Sequence, residues 1–172
     1  MSKQTDLVSI SQDGDVLGPL TTTGAVTPAS MNWSAAKRTK NDSQSLPNNI
    51  YTIIAYDDLV YDTLSELDST GRFTATVGGT YSASASLATN SAAWSVGGQI
   101  VIAIFKNGVI ESQGGWWISA TASSVITAVT VTSDVILAAT DYIDIRIYHN
   151  QGGAITTRPH RNEMPFSVHR TS

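Results

Sequence analysis

Alternation with a period of two recurs along most of the chain, and no other feature restricts the fold as strongly. Residues 69 to 88 read STGRFTATVGGTYSASASLA, with Phe73, Ala75 and Val77 on one face and Arg72, Thr74 and Thr76 on the other. The next run sets Tyr81, Ala83, Ala85 and Leu87 against Ser82, Ser84 and Ser86. Such spacing is the mark of half-buried strands. Between them, Gly78-Gly79 supplies the backbone freedom for a tight reversal, so the stretch describes a sheet corner.

Further strands follow the same logic. NNIYTIIAYD comes after the breaker SLP and is rich in Ile and Tyr. In GGQIVIAIFKNGVIESQG two apolar strands flank Lys106-Asn107-Gly108, a hairpin signal because Asn-Gly tolerates positive φ. Val125, Thr127, Val129 and Val131 oppose Ile126, Ala128 and Thr130. In DYIDIRIYHNQGG, Tyr142, Asp144, Arg146 and Tyr148 oppose Ile143, Ile145 and Ile147. MPFSVHR places Phe166 and Val168 on one face. No run of ten or more residues carries a helical period, and YDTLSELDST has room for one turn. About eight strands at this spacing indicate a sandwich or jelly roll, and the lack of a fixed repeat excludes a solenoid or propeller.

The first 32 residues are different. They are rich in Thr, Ser and Gly, broken by Pro19 and Pro28, with sparse apolar residues. They are expected to form an extended N-terminal attachment arm with one small strand at DLVSIS, the alternative being a disordered leader, and Leu7, Val8, Val16, Leu17 and Leu20 are its candidate anchors. Ordering such an arm costs entropy that only burial offsets, so its expected clamp is a neighbouring subunit or another protein. The division is therefore an arm at 1–32 and a β domain at 33–172.

Charged residues are only 14% of the 172, against roughly 25% in an average domain, and the net charge is -4. A neutral, hydroxyl-rich surface suits subunit contact, because burying threonine costs less than burying lysine. The charge offers no field for nucleic acid, and the basic runs AAKRTK and RPHR are too short to alter that. With no cysteine there is no disulfide, thiolate metal site or cysteine nucleophile. No basic segment followed by an apolar run opens the chain, and no apolar segment approaches the roughly 20 residues that span a bilayer. The expectation is a soluble protein made without a signal-peptide route and without membrane insertion.

Several pieces coincide in order: QSLPNNIYTIIAYDDLVYDT, GRFTATVGGTY, IAIFKNG, ATDYIDIRIYHNQGG and a terminal FSVHR. This order resembles the jelly-roll domain shared by the complement globular head and the tumour necrosis factor (TNF) superfamily, in the versions found in bacteriophage virion proteins and prophages. The resemblance covers residues 33 to 172, and its most telling element is Gly71-Arg72-Phe73-Thr74 with Gly79 and Tyr81 downstream. It implies an all-β antiparallel jelly-roll sandwich that assembles as a homotrimer. The residues agree: Tyr142, Tyr148 and Phe166 are candidate trimer-interface aromatics, the alternative being a strand buried on both faces within one chain. Neither a Gly-X-Y repeat nor a heptad precedes the domain, which reads as a short-armed knob without a stalk.

The remaining candidates are modest. Asp57, Asp58, Asp62, Glu66 and Asp68 offer oxygen ligands for calcium, but their spacing fits no EF-hand and solvated loop acids are the plainer reading. His149, His160 and His169 are scattered. There is no G-x-S-x-G elbow, and Gly97-Gly98 and Gly114-Gly115 precede no helix that would cradle phosphate. Trp116 and Trp117 are candidate ligand contacts: neighbours on a strand face opposite ways, so one enters the core while the other is free to stack on a sugar ring or a subunit, or simply packs at the rim. No enzyme and no cofactor is expected. The function expected is a capsid decoration knob on the virion surface, tied by its arm to the phage major capsid protein. The alternative is a tail-fibre or tail-tip head that contacts other tail proteins and a host-surface receptor.

Overall fold

A computed structural model describes residues 8–10, 16–19 and 33–172. The described chain is all strand and turn. In order the strands are β1 (Val8–Ile10), β2 (Val16–Pro19), β3 (Ala35–Thr39), β4 (Ser45–Leu46), β5 (Thr52–Ile53), β6 (Asp58–Asp62), β7 (Arg72–Thr74), β8 (Gly79–Ala88), β9 (Ala92–Trp94), β10 (Gln99–Lys106), β11 (Val109–Ile118), β12 (Ser123–Val125), β13 (Ala128–Leu137), β14 (Tyr142–His149), β15 (Ile155–Thr156) and β16 (Pro165–Arg170). The chain divides between Asn32 and Trp33 into two units. In the first, β1 and β2 pair antiparallel, two short strands where the sequence predicts one. Leu7 and Leu20 lie outside the described residues, whereas Val8, Val16 and Leu17 belong to those strands.

Two five-stranded antiparallel sheets build the second unit. One runs β13-β8-β16-β3-β6; the other runs β11-β10-β14, with β5 and β7 both pairing β14. The alternation explains what lies between them. Tyr81, Ala83, Ala85 and Leu87 of β8 and Phe166 and Val168 of β16 face Ile100, Ile102 and Ile104 of β10 and Ile143, Ile145 and Ile147 of β14. Alanines opposite isoleucines let the layers approach to the usual sheet spacing of about 10 Å. Each isoleucine removed from water contributes roughly 1.5–3 kcal/mol. The outward residues of β10, Val101, Ala103 and Phe105, are buried as well, so QIVIAIFK reads as a continuous apolar run.

Three expectations are corrected. Phe166 is wholly buried, its ring 5.3 Å from that of Tyr56, because β16 is a central strand and its apolar side points into the sandwich. It therefore offers nothing to another subunit. Gly78-Gly79 makes the expected sheet corner, β7 lying in one sheet and β8 in the other, but not by a tight reversal, since neither glycine has a positive φ. What Gly79 supplies is space, since a Cβ there would lie 2.2 Å from the Ser172 carbonyl oxygen. The run TIIAYD forms a strand only at β5, after which Ile54 and Tyr56 turn into the core, held by the Ile54 amide donating to the Ile145 carbonyl (2.9 Å).

Gly71 combines both demands on a glycine. Its φ is +83°, and a Cβ would sit 2.1 Å from the Ile54 carbonyl oxygen, a main-chain atom of the core. Gly71→Ala is expected to destabilise the domain by more than about 2 kcal/mol, the left-handed backbone cost plus a steric displacement. A urea denaturation midpoint within error of the parent would refute this account.

Candidate functional site

Strand β11 decides what the second sheet shows to solvent. Opposite β10 its register slips twice, once between Val101 and Ala103 and once between Ile104 and Phe105. The first slip places Gly114 and Gly115 where one residue would normally stand, a β-bulge that reverses the phase of the alternation. As a result Gln113 and Trp116, three apart in sequence, share the outward face with Ala103 and Val101. Trp117 pairs with Ile100 and turns inward, its ring 5.0 Å from buried Trp94 in an edge-to-face contact. Gly114 also lets the bulge lie on β13, since a Cβ there would be 2.2 Å from the Thr130 carbonyl oxygen. Trp116 is left 60% exposed.

Around Trp116 the face is aromatic and amide-rich. The row Trp116–Val101–Tyr148 crosses three strands, and the next row is Gln113–Ala103–Arg146. Tyr51 bridges them, 5.1 Å from Phe105 and 5.4 Å from Tyr148 between ring centroids. Each ring is held by an amide side chain. The Trp116 indole N–H donates to Gln99 Oε1 (3.0 Å), Gln113 Nε2 donates to the Tyr51 hydroxyl (2.8 Å), and the Tyr148 hydroxyl donates to Asn49 Oδ1 (3.2 Å). Asp144 is fully buried beside them and receives Arg146 through two bonds of 2.6 and 3.2 Å, with Arg72 at 3.6 Å. That hydrogen-bonded carboxylate raises the pKa of Arg146, whose guanidinium lies 4.1 Å over Phe105. Tyr142 lies 4.0 Å beneath the Arg72 guanidinium. Tyr142 and Tyr148 thus have partners within their own chain, and both faces of β14 are largely covered by it.

The other sheet presents a different surface. Its central outward positions are mostly small hydroxyl residues, Thr130 and Thr132 on β13, Ser82, Ser84 and Ser86 on β8, and Ser167 on β16, with exposed Asp134 and His169 flanking Ser82. Thr132 donates to Ser84 (3.1 Å) in the row Thr132–Ser84–Ser167–Lys37–Tyr61 that spans all five strands. Exposed apolar residues border this face, Ile136 at 73% on one edge and Leu59, Val60 and Tyr61 on edge strand β6. No residue type in this row marks it by itself; the signal available in the sequence was the unbroken serine alternation of β8.

The acidic run is engaged in hydrogen bonds within its own loops rather than sitting free in solvent. Asp62 accepts the amides of Leu64, Glu66 and Leu67, and buried Glu66 accepts Thr76 and Ser34. Among the described residues no group of three acids or histidines is placed to hold a metal. His149 is buried, with Nδ1 accepting the Gln151 amide and Nε2 donating to the Leu46 carbonyl (2.9 Å). The basic run is absorbed too, as Arg38 donates to the Leu67 carbonyl and buried Lys40 to that of Ala55. Partial burial works to raise the pKa of Asp57, but amide hydrogen bonds from Asn41 and Asp42 and the charge of Lys40 outweigh it and hold it below the usual carboxylate range. Asp68 is lowered in the same way, burial opposing and the Thr70 hydroxyl with the Arg72 and Thr70 amides prevailing.

No protein-family model matches the sequence, nor does any curated protein. Solved structures do match. The globular domain of zebrafish complement 1qA superposes with a TM-score of 0.56 at 13% identity, over 78% of this chain and 94% of that one. The Eiger TNF of S. frugiperda gives 0.56 at 12% identity over 81% and 93%, and murine APRIL at pH 5.0 gives 0.57 at 11% over 81% and 99%. The fold is a TNF-like jelly roll. At these identities the likeness concerns the fold alone, and the jelly roll's two outward faces have to be read from their own residues.

Two measurements check this geometry. Trp117→Ala is expected to cost about 2–3 kcal/mol by removing a half-buried ring from Trp94, and Trp116→Ala less than about 1, as read by chemical denaturation. Equal costs would mean that the bulge is misplaced. Because the folded-state pKa values of Asp57 and Asp68 lie below their unfolded values, their contribution is present above about pH 4 and is lost as pH falls below it. Asp57→Asn and Asp68→Asn together should flatten that acid limb of the stability profile.

Proposed function

We propose that this protein is a non-catalytic homotrimeric knob on a bacteriophage virion, a capsid decoration protein whose residues 1–32 grip the major capsid protein. The observation that carries self-association is the flat hydroxyl face of β13, β8 and β16 with its apolar borders. Six central Ser and Thr side chains shed little hydration when covered, and Ile136, Val60 and Tyr61 gain by leaving water. The likeness to complement and TNF domains is consistent with a homotrimer. The arm's Thr-, Ser- and Gly-rich composition supports attachment: three arms from one trimer reach adjacent coat subunits and gain by multivalency.

Under this reading the intact protein sediments as a trimer at micromolar concentration. Ser84→Arg, which places a long charged side chain at the centre of the face, should yield a folded monomer. Removal of residues 1–32 should leave a trimer that no longer binds particles. A folded, monomeric parent protein would sink the assembly reading, and full occupancy of shells by the truncated protein would sink the role of the arm.

A second reading, a receptor-binding head at the tail, is favoured by the exposure of Trp116 on the opposite sheet. Imaging of assembled particles separates the two: density across the capsid lattice supports decoration, and density at the tail alone supports attachment to the host.

A further inference from the structure

The geometry points to a neutral oligosaccharide site on the outward face of β11, β10 and β14, centred on Trp116. It does not rest on the capsid or tail location, nor on the trimer, because its residues come from one chain and lie on the sheet opposite the hydroxyl face.

Pyranose rings are recognised by two complementary chemistries. Their C–H faces stack on aromatic rings, and their hydroxyls, each both donor and acceptor, meet planar amides and guanidinium groups. This face supplies both in alternating positions. Trp116 and Tyr148 occupy one row, two strand spacings or roughly 10 Å apart, the span of a short oligosaccharide rather than a single sugar. The three amides that fix the rings each commit one atom to the ring and keep another. Among the described residues Gln99 Nε2, Gln113 Oε1 and Asn49 Nδ2 have no partner, so the face offers two donors and one acceptor beside the stacking surfaces. Holding the rings in place before binding lowers the ordering cost that weakens most surface sites.

Charge selects the ligand class. Arg146, the cation nearest to Trp116 on this face, is already bound by Asp144 through two bonds and stacked on Phe105. An anionic sugar would have to compete with that buried carboxylate, whereas a neutral one asks only for the outer guanidinium edge. The Gly114-Gly115 bulge brings Gln113 and Trp116 onto one face while it turns Trp117 inward onto Trp94, and backbone sterics against β13 keep it there.

The test is calorimetric titration of the 172-residue protein with neutral cello-, malto- and chito-oligosaccharides of two to six units, beside sialyllactose and hyaluronan fragments. At least one neutral series is expected to bind in the micromolar to millimolar range and to tighten with length up to the span of the face. Trp116→Ala should weaken it at least tenfold and Gln113→Ala measurably, with a cooperative unfolding transition retained and sedimentation unchanged. Trp33→Ala, which removes another exposed tryptophan, should leave it intact. Failure of every neutral series, preference for the acidic sugars, or binding that survives Trp116→Ala would overturn the assignment. A change of oligomeric state in Trp116→Ala would overturn it also, by making the face a subunit contact.

Discussion

Burial of strand β10 on both of its faces is the constraint around which the jelly roll is organised. Ile100, Ile102 and Ile104 meet the alanine column of β8 across the core, and Val101, Ala103 and Phe105 have to be covered from outside. That second demand recruits Tyr51, Tyr148, Arg146 and Trp116 into an outer layer, and with them the amides and the buried carboxylate that hold them in place. An outward face that would ordinarily be solvent thus becomes a small second core. Its two guanidinium groups, of Arg146 and Arg72, stack on Phe105 and Tyr142, where a guanidinium is less costly to immobilise.

The two sheets have consequently diverged in what they show to other molecules. One presents rings and paired charges at fixed positions, a surface with chemical detail. The other presents a field of small hydroxyls with a few charges, Asp134, His169 and Lys37, toward its ends and edge. In the proposed assembly one face meets other copies and the opposite face stays open. The division follows from which residues alternate outward on β8 and β14, Ser in one case and Tyr, Asp and Arg in the other.

Loop chemistry supports this arrangement from the side. The acids between β6 and β8 are spent on main-chain amides, converting a stretch without regular hydrogen bonding into one whose donors are satisfied. Similar service by Asp57 and Asp68 ties the strand ends to the acid side of the stability profile. An acid cluster in a sequence therefore looks the same whether it waits for a cation or closes a loop; only the direction of the neighbouring amides separates the two.

The sequence by itself determined the all-β class, the inward Ile and Ala columns, the Asn107-Gly108 hairpin, and the fact that one of Trp116 and Trp117 turns inward. All of these follow from period-two alternation and local turn chemistry, which neighbours along the chain suffice to define. Tertiary structure alone decided which tryptophan that is, because the phase depends on a bulge set by pairing with β10. It decided the depth of Phe166, because a strand's alternation does not say whether the strand is central or marginal. The need for glycine at 79 came from Ser172, 93 residues further along the chain. Pairing between distant strands is a property of the whole chain, and register is the quantity that local sequence does not carry.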